Sequence, residues 1–186
     1  RDQSGLWMAG YGSGLIHYDF SAKAFSVHRH RQEDPSSLSS NLAYQVYVDR
    51  TDNLWIGTWG GGLNKLSKNA MQFQTINSRN SLDGDFVTSI VNESPQSAIV
   101  STYQGGIYRF RSLNDGDFEV KKLPGSQDFD VNFVRSVFPG KIHIWVGLNG
   151  GGVVFKKSGS ETAPWRYLRQ VIGHSNSIDY QLVESV

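Results

Sequence analysis

The 186-residue sequence contains no cysteine. That excludes a disulfide framework, a thiolate nucleophile and any zinc site built on cysteine. No apolar run approaches the ~18 residues that crossing a bilayer requires, so no span and no direct membrane contact is expected. Neither sign of charge dominates. Eighteen Lys and Arg stand against 17 Asp and Glu, a formal net charge of +1. That balance argues against a surface dedicated to nucleic acid or anionic lipid. No G-x-S-x-G elbow occurs, and the acids on the loops neither pair nor repeat as a hydrolytic site requires. The chain opens at Arg1 without Met or a secretory leader. An internal excerpt of a longer protein is the simplest expectation.

Glycine and aromatics are plentiful instead, with 20 Gly and 12% Phe, Trp and Tyr. They are arranged in one phrase written four times: LWMAGYGSGLIHYD from Leu6, LWIGTWGGGLNKLS from Leu54, AIVSTYQGGIYRFR from Ala98 and IWVGLNGGGVVFKK from Ile144. Counted from Trp7, Trp55, Ile99 and Trp145, the steps are 48, 44 and 46 residues. Seven places on stands a glycine, Gly14, Gly62, Gly106 or Gly152, and an aliphatic residue follows each. A period in the forties signals a repeat architecture.

The second copy shows what one repeat encodes. Leu42 to Val48 alternates and is rich in β-formers, and Asp49 to Asn53 is turn chemistry. Leu54 to Thr58 reads as a strand. Gly60-Gly61-Gly62 supplies a tight reversal, because glycine alone accepts positive φ without steric cost. Strands over 62–67 and 72–76 complete the unit. Four short antiparallel strands per period are the signature of a propeller blade. The inner strand recurs as VTSI from Val87, VRSV from Val134 and VESV from Val183, with a looser copy at Ala43. The expected fold is therefore all-β, with about four four-stranded blades taken from a larger propeller. Residues 1–40 form a first blade lacking its inner strand, 41–84 a second, 85–131 a third and 132–178 a fourth. Residues 179–186 form the inner strand of a following or closing blade. An orphan strand and terminal blade faces invite pairing, so self-association is expected of the isolated chain.

The stretch Asn41 to Leu66, N-L-A-Y-Q-V-Y-V-D-R-T-D-N-L-W-I-G-T-W-G-G-G-L-N-K-L, closely resembles the two-component regulator propeller repeat. Asp34-Pro-Ser-Ser-Leu-Ser-Ser-Asn41 is similar to that family's inter-blade loop. The second copy is a specific match, the first and fourth are good, and the third departs, with Ile99 for the Trp and Ser101 for the Gly two places on. The resemblance implies a ligand-sensing, non-enzymatic module in the periplasmic or extracytoplasmic part of a bacterial inner-membrane receptor. The output of such a receptor is a histidine kinase or a diguanylate cyclase. The alternative is a fragment of a propeller-fold lyase or glycoside hydrolase. Repeat-built glycosidases with similar GGL phrases usually carry an S-x-D-x-G-x-T-W box, which this sequence lacks.

Four residues after each Trp position stand Tyr11, Trp59, Tyr103 and Asn149, in the turn joining second and third strands. In one register they could form a stacking rim for a small-molecule or carbohydrate ligand. The plainer account is that aromatics flank tight glycine turns to cover neighbouring strands. Trp7, Trp55 and Trp145 fall mid-strand and read as packing, with Gly14, Gly62, Gly106 and Gly152 as structural turn residues. His28 and His30 share a strand face, but no third ligand accompanies them, so a solvated outer edge is expected and no metal. Nothing in the pattern calls for a cofactor. Ser78 to Asp85 lacks the alternating acids of a calcium loop and reads as an inter-blade loop.

Overall fold

The computed structural model describes residues 5–49, 52–67, 72–79, 81–113, 118–126, 129 and 133–168. Its regular elements are fifteen strands, consistent with the Gly-punctuated β-rich pattern. They form four consecutive antiparallel sheets, each an up-and-down meander in chain order. The first holds β1 (Gly5–Gly10), β2 (Gly14–Asp19) and β3 (Ala24–His28). The second holds β4 (Ala43–Val48), β5 (Leu54–Thr58), β6 (Leu63–Leu66) and β7 (Phe73–Ile76). The third holds β8 (Val87–Ser94), β9 (Ser97–Thr102), β10 (Gly106–Ser112) and β11 (Phe118–Lys122). The fourth holds β12 (Val134–Pro139), β13 (His143–Leu148), β14 (Gly152–Lys157) and β15 (Arg166–Tyr167). The chain is thus all-β and built of propeller blades, the first with three strands and the others with four. The strand expected over Asp179 to Val186 lies outside the described residues.

The chain divides into two compact units, 1–87 and 88–186. In the first, Leu15, Leu38, Ala43, Leu54, Ile56 and Phe73 form a core shared by the two sheets, with Trp7, Ala9, Val46 and Val48 packed against it. In the second, Ile99, Ile107, Val137, Ile144, Val146, Leu148 and Val154 are among the buried core residues. Each core draws on strands of both sheets in its unit because one blade alone is too thin to bury its apolar face. β5 is buried from end to end, as its unbroken LWIGT run implies.

The four phrase glycines all take positive φ: 81° at Gly14, 76° at Gly62, 101° at Gly106 and 75° at Gly152. At Gly14 and Gly62 a side chain would meet a main-chain carbonyl as well. A Cβ would stand 2.3 Å from the oxygen of His28 and of Ile76 respectively. The third strand opens there, directly under the end of the fourth, so the repeat demands glycine for two separate reasons.

In the divergent third copy, Ser101 is fully buried and its hydroxyl lies 2.9 Å from that of Thr88. The hydroxyl pair ties β8 to β9 where the other copies carry Gly or Ala.

Candidate functional site

The turns between second and third strands are built alike. In the first sheet Tyr11 forms an isolated bridge with Leu42, and the N–H groups of Gly12 and Gly14 both donate to the Asn41 carbonyl, at 3.0 and 2.9 Å. In the second, Trp59 forms the equivalent bridge with Phe86, and Gly60 and Gly62 donate to the Asp85 carbonyl at 3.1 and 2.8 Å. Each turn therefore clips onto the residues just before the next inner strand. Such clips satisfy turn N–H groups that water would otherwise have to serve.

Leu42 connects the two predicted residues of the first unit. It bridges Tyr11, and its carbonyl accepts the Trp59 N–H at 2.9 Å. Phe133 has the same double role in the second unit. Its ring stacks on Tyr103, with centroids 4.5 Å apart and planes at 14°, and its carbonyl accepts the Asn149 N–H at 2.8 Å. The structure thus links Tyr11 to Trp59 through Leu42, and Tyr103 to Asn149 through Phe133. Tyr11 is 70% exposed, while Trp59, Tyr103 and Asn149 are half-buried.

The Trp59 indole sits in a small aromatic cluster. Phe86 meets it edge-on at 4.9 Å and Tyr44 lies tilted at 6.0 Å, each leaving about a third of its surface in solvent. Tyr44 reaches this edge through a bulge. The register between β4 and β5 shifts between Ala43 and Gln45, and the same shift recurs between Val134 and Ser136. An extra residue in an inner strand re-aims its side chain, here toward the turn.

Sequence reasoning missed Leu42, Phe86, Phe133 and Tyr44. The first three carried a legible signal, since an apolar residue directly precedes the inner strands at Ala43, Val87 and Val134. Tyr44 did not, because a bulge leaves no mark in an alternating pattern. The first unit's turns offer the aromatic faces of Tyr11, Tyr44, Trp59 and Phe86, and the second unit's offer Tyr103, Phe133 and the Asn149 amide. These can stack on a flat or ring-shaped ligand and hydrogen-bond to neutral polar groups.

The mid-strand tryptophans face cross-strand partners. Trp55 is 8% exposed, its Nε1–H donates to Asp49 Oδ2 at 2.9 Å, and the Lys65 ammonium lies 5.6 Å from its ring centre. Asp49 also accepts the backbone N–H and side-chain N–H of Asn53, so one carboxylate fixes both the turn and the indole. Trp145 is half-buried against Phe155 and His143. Trp7 stacks on His17 with centroids 4.1 Å apart.

His28 does not sit on a solvated edge. It is half-buried, 5.8 Å from the Trp7 ring and edge-on to Phe73 at 5.9 Å. The loop after β3 folds back over the strand end. His30 instead lies at the surface, its Nδ1 2.8 Å from the Leu38 carbonyl. In the loop before β8, the Asp85 carboxylate accepts the N–H and hydroxyl of Ser78, a capped turn rather than a cation cradle. Among the described residues, no group of three or more His, Asp or Glu gathers as a metal site would need. No helix among them is long and apolar enough to cross a membrane.

No family model and no curated protein matches the chain. Solved structures do. One is the extracellular domain of a protein described as a hybrid two component system, BT3049 from B. thetaiotaomicron. It is 24% identical, with a TM-score of 0.65, over 89% of this chain and 22% of that one. Another is the extracellular domain of BT4673 from the same organism, described likewise. It is 23% identical, with a TM-score of 0.67, over 88% of this chain and 23% of that one. The chain spans less than a quarter of the length of either structure. It has the fold of a segment of these extracellular domains.

Proposed function

We propose that the chain is a ligand-sensing module in the extracytoplasmic part of a bacterial membrane signalling receptor, with no catalytic centre of its own. The observation that carries this reading is the backbone likeness, over nearly nine-tenths of the chain, to extracellular domains described as parts of hybrid two-component systems. The aromatic turn edge supports it. A small molecule or carbohydrate would seat on Tyr11 and Trp59, or on Tyr103 and Asn149, in the receptor that contains the chain. It would act by binding one arrangement of that receptor more tightly than another, since differential affinity is all a ligand can contribute to a switch. The output, a histidine kinase or a diguanylate cyclase, belongs to other parts of the protein.

The test uses the intact receptor in vesicles. Phosphorylation or cyclic dinucleotide synthesis is followed while neutral and acidic oligosaccharide pools are added. The expected result is a pool-dependent change in output that Trp59→Ala with Tyr103→Ala weakens at least tenfold in midpoint. Turnover of an oligosaccharide by the chain itself would overturn the non-catalytic reading. A response untouched by the double substitution would remove the turn edge from the site.

A further inference from the structure

Opposite the repeat Trp, the third strand presents a different partner in each copy. Trp7 faces His17, Trp55 faces Lys65 and Trp145 faces Phe155. The second copy shows that one cation is tolerated there, because the Lys65 ammonium lies over Trp55. A cation over an indole face is attracted by the ring quadrupole. The first copy adds a second ionisable group. His28 pairs with Leu15, while in the second copy Leu63 pairs with Ile76. An imidazole therefore occupies the place of an aliphatic residue that is 3% exposed.

Both imidazoles lie against Trp7, with centroids at 4.1 and 5.8 Å. The adjoining core of this unit is apolar: it holds Trp7, Ala9, Leu15, Leu38 and Phe73, of which Trp7 and Phe73 meet His28 and Leu15 is its register partner. Among the described residues, the buried His17 Nε2 has no hydrogen-bond partner. Among the described residues, the ionisable groups of β2 and of the loop after β3 are engaged elsewhere or exposed. Asp19 accepts from the N–H groups of Ser21 and Ala22, and Asp34 holds Arg31, whereas Arg29 and Glu33 are exposed. His30 is held on the Leu38 carbonyl. Burial, and then the charge of His17, depress the proton affinity of His28 below its ordinary value.

We propose that His28 is an acid-release residue: with His17 it lets the seam between the β1–β3 and β4–β7 sheets stay closed at neutral pH and open as the medium acidifies. The closed seam holds His28 against the Trp7 ring and beside a second imidazole, where a positive charge on His28 is disfavoured. A His whose folded-state affinity is depressed is protonated more readily in the open form. The closed form is therefore fully favoured above the ordinary value of 6.5 and loses ground as pH falls below it. The proposal is a property of the chain and stands whether or not the sensor reading does.

Hydrogen exchange of the 186-residue chain, read peptide by peptide and corrected for intrinsic rates, tests it. Between about pH 7.5 and about pH 5, opening of the β1–β3 peptides is expected to rise, because the open form takes up the proton more readily. Peptides from β8 to β10 should not follow. His28→Ile, which copies Ile76, should abolish the rise while leaving protection at neutral pH intact. A parallel rise in the wild type and the variant overturns the proposal, as does an acid response spread evenly over the chain. Should the variant not fold, an NMR titration of the wild-type imidazoles decides: His28 titrating at or above its ordinary value overturns it, and a depressed midpoint supports it.

Discussion

Replacing Trp55 with Ala tests the packing argument most directly. The side chain is 8% exposed, so nearly all of it is removed from water. An aromatic of this size buries roughly 200 Å². At about 25 cal/mol per Å², that burial contributes about 5 kcal/mol, of which the retained methyl keeps a little under one. Losing the Nε1–H bond to Asp49 adds about 1 kcal/mol. Partial collapse of β5 onto β6 returns some of this, because the Lys65 stem can slide into the space. The net expectation is destabilisation by about 3–5 kcal/mol. Trp55→Phe keeps most of the ring and loses the N–H, so it should cost about 1–2 kcal/mol. The assay is urea denaturation followed by far-UV circular dichroism, with the slope checked for a constant change in exposed surface. A shift below about 1 kcal/mol for Trp55→Ala would refute the reasoning, because no buried indole could be removed so cheaply.

Further outcomes can be measured in the same way. Gly12 and Gly14 share one turn and both take positive φ, at 87° and 81°, but only Gly14 has a carbonyl where a Cβ would go. Gly12→Ala should cost about 1–2 kcal/mol from backbone conformation alone, and Gly14→Ala clearly more; equal midpoints would count against the carbonyl contact. Arg109 grips Glu93 through two 2.6 Å contacts, with about a fifth of each side chain exposed. Arg109→Met should destabilise by about 3 kcal/mol, and adding Glu93→Leu should recover much of it; failure of the double variant to recover would mean that the pair is not a stranded-charge problem. Sedimentation across a concentration series should show self-association of the isolated chain, and a monomer unaffected by deletion of Asp179 to Val186 would exclude strand exchange.

Much of the fold was written plainly in the chain. The alternation at Ala43 to Val48, the LWIGT run and the glycine after each turn are local statements about backbone preference, and local preference is what a sequence encodes directly. The strand expected over 54–58 and the element Leu54–Thr58 coincide for that reason. Tyr11, Trp59, Tyr103 and Asn149 were legible as one register because the repeat supplies its own alignment. Their partners were harder to see. Leu42, Phe86 and Phe133 carry a repeating apolar signal, yet that signal says only that something is covered, not by what.

By itself the sequence determined a repeat of short strands, the period, the turn chemistry and the positions where glycine is obligatory. Tertiary structure alone decided which side chains meet. It clipped each turn onto the start of the following inner strand, brought Tyr44 to Trp59 through a bulge, and put His28 against Trp7 rather than in solvent. The physical reason is that strand formation depends on neighbours along the chain. Pairing across a seam depends on bulges and loop paths set by residues dozens of positions apart, and no local pattern records them.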